Sequence, residues 1–168
     1  LAAFFSADVP RFDEVMKILG QNDILLKYQK VHDKIIIWLL SQGKLVSGQI
    51  PDNTALSEIV GRLSRPGAQI QPADVKVLSD TLLAPAKGRL AKAKTVYILG
   101  SGALEFLPWS AMSLDGVPLI QKVALSHLTS LSQLSNSRNR KNLYNSRMLA
   151  VEFPENLFST VTDRFASS

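Results

Sequence analysis

The stretch from Thr95 to Met112 constrains this chain more than any other segment. Thr95-Val96-Tyr97-Ile98-Leu99 is an apolar run, Gly100-Ser101-Gly102 is a glycine turn, and Phe106-Leu107-Pro108-Trp109 is an aromatic segment broken by proline. An apolar run of this length ending in glycine reads as a buried strand feeding a tight turn, where glycine supplies backbone freedom. Phosphate loops also follow strands. This turn lacks their Lys-Ser/Thr ending and the third glycine of a dinucleotide loop. Helical and strand patterns alternate through the second half of the chain, which predicts an α/β sheet with parallel pairs.

Upstream, Asp8 precedes Val9-Pro10 as an N-cap, and Val9, Phe12, Val15, Met16 and Leu19 share one helical face that Gly20 ends. Three strand-like runs follow at Ile24 to Gln29, Lys34 to Leu40 and Lys44 to Ile50, with turns at Val31-His32-Asp33 and Ser41-Gln42-Gly43. They predict an antiparallel hairpin. The β-branched run Ile35-Ile36-Ile37 suits a strand buried on both faces, and the alternating Lys44 to Ile50 run suits a position nearer an edge. Pro51-Asp52-Asn53-Thr54 stops the third strand and caps a helix carrying Leu56, Ile59, Val60 and Leu63, which runs to Arg65-Pro66-Gly67. Another helix starts near Pro72 with an apolar face of Val75, Val77, Leu78, Leu82 and Leu83, and Pro85 interrupts or ends it. Lys87 to Lys94 is short and basic. Downstream, Ser135 to Asn142 is a polar loop, Arg147 to Val151 a strand, and Leu157 to Phe165 a further helix. That closing strand-loop-helix unit has nothing to return to. The expected fold is therefore one α/β domain over residues 1–168: a mixed, mostly parallel sheet flanked by helices, apparently incomplete, with an N-terminal antiparallel hairpin.

At 168 residues, 46% of them hydrophobic and 20% charged, the chain can bury a real core. No apolar run is long enough to span a bilayer, and Leu1-Ala2-Ala3-Phe4-Phe5 carries no basic n-region, so neither a membrane span nor a signal peptide is read. The sequence has no cysteine, which excludes disulfides, thiolate metal sites and a cysteine nucleophile within it, and fits the cytoplasm. Net charge is +5, with no acidic residue from Gly116 to Val151 while Lys122, Arg138, Arg140, Lys141 and Arg147 fall there. The excess reads either as a site for an anionic partner such as nucleic acid or as a solvated loop. The loop from Ser135 to Ser146, with Arg138, Arg140, Lys141 and Tyr144, is the candidate partner or substrate-cleft element.

Catalytic readings are sparse. Ser126-His127 invites a serine hydrolase, but adjacent strand residues point to opposite faces and no Gly-x-Ser-x-Gly elbow is present. His127 reads instead as a hydrogen-bonded histidine at a strand end, and His32 as an exposed turn residue. The two histidines have no spaced carboxylates around them, so no metal or cofactor is expected. Phe106, Pro108 and Trp109 either line a groove or fill a core.

Taken in order, these motifs resemble the N-terminal half of a CHAT domain, the caspase-like domain of bacterial TPR-associated cysteine peptidases. Leu25-Leu26-Lys27-Tyr28, Ile36 to Gly43, Leu82-Leu83-Ala84-Pro85 and Val96 to Trp109 carry the resemblance, which runs from about Val9 onward. Ser101-Gly102 stands where the family usually has Asp-Gly. The resemblance implies a caspase-like fold and regulated proteolysis by a His/Cys dyad at later strand ends, with a protein substrate. Neither catalytic motif has a matching position here. The alternative it leaves is a non-catalytic module that binds a protein partner such as a TPR array or a CRISPR-type effector.

Overall fold

The computed structural model describes residues 12–134. Helix α1 (Phe12–Ile18) leads into β1 (Asp23–Val31), β2 (Lys34–Ser41) and β3 (Lys44–Pro51). Helices α2 (Thr54–Leu63) and α3 (Pro72–Leu78) follow. A π turn (Ser79–Leu83) and a 3-10 turn (Ala84–Ala86) then run on into α4 (Lys87–Leu90). Strand β4 (Thr95–Leu99) is succeeded by a 3-10 turn (Gly102–Phe106), the small hairpin of β5 (Ser113–Leu114) and β6 (Val117–Pro118), α5 (Leu119–Lys122) and β7 (Ala124–Leu128). Five strands make one sheet in the order β3-β2-β1-β4-β7. Strands β1, β4 and β7 are parallel, and β1, β2 and β3 form an antiparallel meander. This is the mixed α/β architecture with N-terminal antiparallel strands that the pattern predicts.

Turn chemistry sets the register of the β2–β3 and β5–β6 hairpins. Gln42 and Gly43 both take positive φ, 47° and 78°, as do Asp115 and Gly116 at 56° and 77°. Two left-handed residues in succession give the primed turn whose twist matches paired strands. Each fixed register then sorts alternate side chains onto opposite faces. Ile24, Leu26 and Tyr28 of β1, Ile35, Ile37 and Leu39 of β2, and Val96 and Ile98 of β4 face the larger core. Onto them pack Leu56, Val60 and Leu63 from α2, Leu78 from α3, Leu82 and Leu83 from the π turn, and Leu90 from α4. Each such side chain contributes roughly 1.5–3 kcal/mol when fully buried. The other face carries a smaller cluster, in which Val15 of α1 and Leu134 cover Leu25, Leu40, Leu99 and Leu128.

Two expectations change at this level. Ile36 is only half-buried, because β2 faces the large core with Ile35 and Ile37, and on its opposite side the small cluster takes in Leu40 but not Ile36. Val77 is 38% exposed, since α3 is turned so that Leu78 meets the core. Strand β3 is the outer strand of the described sheet, as its alternation implied, with Leu45 and Val46 exposed. Asn53 caps α2 as expected, its Oδ1 accepting from the Leu56 N–H at 2.9 Å. The Asp8 cap, the loop after Leu134, the strand at Arg147 to Val151 and the helix at Leu157 to Phe165 lie outside the described residues.

Pro85 interrupts its helix and does not end it. A proline has no N–H for the preceding turn, and here the helix widens into the π turn, tightens into the 3-10 turn and resumes as α4. The Leu82 carbonyl accepts from the Tyr28 hydroxyl at 2.9 Å. The Ser79 hydroxyl donates to the Val75 carbonyl at 2.6 Å and accepts from the Ser113 N–H at 2.8 Å. The irregular turn is thus held from β1 on one side and from β5 on the other.

Two expected outcomes follow from these contacts. Tyr28→Phe keeps the shape of the ring but strands a buried carbonyl, so urea unfolding should show a loss of about 1–3 kcal/mol; an unchanged midpoint would remove the hydroxyl from the fold's support. The second concerns Lys87 and Asp115, paired at 2.5 Å between α4 and the β5–β6 turn. The hydrogen bond from Lys87 holds the Asp115 carboxyl below its usual range, and the same bond raises Lys87. The pair's contribution is present above the unfolded pKa of Asp115 and lost as pH falls through the folded one. On the alkaline side it is lost as pH rises through the folded pKa of Lys87. In a carboxyl-carbon NMR titration, Lys87→Met should move the Asp115 midpoint upward, and a midpoint that stays put contradicts the pairing.

Candidate functional site

In open α/β sheets ligands bind beyond the carboxyl ends of the strands. Here β1, β4 and β7 bring Val31, Leu99 and Leu128 to that edge. The end of β4 is the most tightly built. A Cβ added at Gly100 would lie 2.6 Å from the Leu104 carbonyl oxygen, so only glycine lets the chain fold back there. Gly102 takes a φ of 58°, a conformation that side chains rarely adopt. Ser101 reaches sideways, its hydroxyl donating to the Tyr28 carbonyl at 3.2 Å. The bond it makes ties the β4 turn to β1, across 73 positions of sequence.

The aromatic segment divides between core and surface. Trp109 is buried and stacks on Tyr28 with ring centroids 4.8 Å apart, and its Nε1 donates to the Leu104 carbonyl at 3.1 Å. Phe106 is 65% exposed. With Pro108, Pro66 and Ile70 it borders an apolar recess of about 450 Å³ between the end of α2 and the β4 turn. At the end of β7, the Thr129 N–H donates to Gln133 Oε1 at 2.9 Å and Gln133 Nε2 donates to Thr129 Oγ1 at 2.8 Å, which fixes the chain as it leaves the sheet.

The catalytic candidates stay apart. Ser126 lies opposite Tyr97 and His127 opposite Ile98 in the β4–β7 register, so their side chains project from opposite faces. His127 is exposed, and among the described residues no hydrogen bond to its imidazole is present, so the expected bonded histidine is not what β7 holds. His32 is an exposed turn residue with a φ of 54°. Burial pushes the Tyr28 phenol far above its usual range, so it remains a donor and is no base. Among the described residues no cluster of three His, Cys, Asp or Glu side chains could hold a metal ion. Arg138, Arg140, Lys141 and Tyr144 lie outside the described residues. What the carboxyl edge offers is a rigid backbone turn beside an apolar recess. Its key polar contact, Ser101 to β1, depends on a long-range pairing that no local motif encodes.

No helix among the described residues is long and apolar enough to cross a membrane. No curated protein matches the chain. The family model described as CHAT domain matches residues 73–167, which takes in α3, the π turn, β4, the glycine turn and β7. With more than half of the sequence matched and a mixed sheet whose central parallel strand runs into that turn, the chain belongs to the CHAT domain family, a caspase-like, peptidase-related family.

Proposed function

We propose that this chain supplies the N-terminal half of a caspase-like cysteine endopeptidase domain. In this reading β1, β4 and β7 are the scaffold, and the Gly100–Trp109 segment and the Phe106 recess form one wall of a peptide cleft. The loop carrying Arg138, Arg140, Lys141 and Tyr144 is the other candidate wall. The observation that carries the reading is the parallel three-strand unit β1-β4-β7, with the tight glycine turn at the carboxyl end of its central strand, within a sequence that the CHAT domain model matches. The chemistry needs a thiolate to attack the peptide carbonyl and an imidazole to manage the leaving-group proton. The sequence contains no cysteine, so the sulfur comes from outside these 168 residues.

Two measurements test this. The natural gene product should have an intact mass above 18.4 kDa, contain cysteine, and cleave peptides in a way that a thiol alkylator abolishes, while the 168-residue chain alone is inert. A natural product ending at Ser168 overturns the peptidase reading.

The competing reading, a non-catalytic module for a TPR-containing or CRISPR-type effector partner in the cytoplasm, draws on two sequence facts: the missing cysteine and the absence of acidic residues from Gly116 to Val151. It predicts that reversing the charges of Arg138, Arg140 and Lys141 weakens partner capture, with the loss greatest at low salt. Capture that is indifferent to both removes the loop from any such role.

A further inference from the structure

A cavity of about 260 Å³ opens at the amino end of the sheet, opposite the edge described above. Three elements meet there. The start of β1 contributes Asp23, the β2–β3 turn contributes Ser41 and Lys44, and α4 with the turn after it contributes Arg89 and Lys92. Lys44, Arg89 and Lys92 put three positive charges on the walls against the single carboxylate of Asp23. That carboxylate is already engaged by the Gly20 N–H at 2.8 Å.

Four cations elsewhere in the described fold are paired. Lys30 meets Asp52, Arg62 meets Asp74, Lys76 meets Asp80 and Lys87 meets Asp115. Among the described residues Lys44, Arg89 and Lys92 have no such partner. Arg89 is also oriented. Its Nη1 donates to Ser41 Oγ at 3.1 Å, and Ser41 is only 7% exposed. A guanidinium has five N–H donors in a rigid fork, so this bond sets the plane and leaves donors for a ligand. A concave wall concentrates the field of like charges, and an arginine fork with two ammonium groups matches the oxygens of a phosphate.

We propose that this cavity is a binding site for a phosphate group, either inorganic phosphate or the terminal phosphate of a small phosphomonoester. Arg89 is the forked ligand, and Lys44 and Lys92 are the flanking charges. The volume lies just below the range of small-molecule sites, roughly 300–1,000 Å³, which suits one phosphate and a short stem and excludes a dinucleotide. The site stands at the far end of the sheet from the proposed cleft, so its fate and that of the peptidase reading are independent.

The test is calorimetric titration of the full 168-residue chain with inorganic phosphate and, separately, with glycerol phosphate, at constant ionic strength set by chloride. Saturable binding with a Kd below about 1 mM is expected for at least one of them, and the tighter of the two identifies the source. Arg89→Gln should weaken binding about tenfold or more, as loss of a charge-assisted fork does. Lys92→Gln makes no contact that the fold needs, so it serves as the second variant and should weaken binding several-fold with unchanged circular dichroism. Lys34→Gln, at the other end of β2, should leave binding as it was. No saturation with either anion, or equal losses in Lys34→Gln and Lys92→Gln, overturns the proposal.

Discussion

A single buried phenol ties together the parts of this fold that sequence separates most widely. Tyr28 sits in the middle of β1 with no exposed surface, so its hydroxyl must find a partner inside the protein. It finds the Leu82 carbonyl in the π turn, on the far side of two helices in sequence. Its ring stacks on Trp109, whose indole N–H is satisfied by the Leu104 carbonyl. Its own carbonyl receives the Ser101 hydroxyl. One residue therefore sets the distance from β1 to the α3–α4 helix, to the β4 turn and to the aromatic segment. The close approach at Gly100 belongs to the same network, because the Leu104 carbonyl that accepts from the Trp109 indole N–H is the atom a side chain at 100 would strike.

The sheet is sandwiched unequally, and that follows from where the chain's length is used. The connection from β3 to β4 contains α2, α3, the π turn and α4, all of which pack on one face. The other face receives α1, of seven residues, and the start of the chain beyond β7. Trp38, on that second face, is accordingly half-buried and is approached by Lys27 Nζ at 5.2 Å from the ring centroid. Such a contact is worth about 0.5–1 kcal/mol at an exposed position, which is far less than another apolar layer would supply.

Local patterns proved legible and long-range pairings did not. The strands of the five-stranded sheet, the turns of its meander, the Asn53 cap and the edge position of β3 follow from alternation, turn residues and capping chemistry, all properties of neighbours in sequence; the small β5–β6 hairpin was not read from them. The glycine turn after β4 was legible for the same reason. The exposure of Val77 was not, because helical spacing places a residue on a face but does not say how far that face extends once the helix widens into a π turn. Nor could alternation show that Ile36 would be only half-buried, since that depends on which elements pack over that face of β2. Phe106 and Trp109 are three positions apart and equally aromatic. Trp109 is buried where it meets Tyr28, a contact across 81 positions that no window of sequence contains.

The two ends of the sheet differ in chemistry, and the difference arises from the connections. At the carboxyl end the chain turns tightly through Gly100, Ser101 and Gly102 and leaves Phe106 and Pro108 beside Pro66 and Ile70. A turn held by backbone carbonyls and a serine hydroxyl gives an edge that is stiff and largely apolar, which suits an extended backbone laid against it. At the amino end the helix that resumes after Pro85 delivers Arg89 and Lys92 next to Lys44 and the buried Ser41. Had Pro85 terminated that helix, the basic run that follows would have remained an unplaced loop. Tyr28 bonds the widened turn from which the helix runs on into α4, so one buried residue touches both the carboxyl-end scaffold and the segment that leads to Arg89 and Lys92.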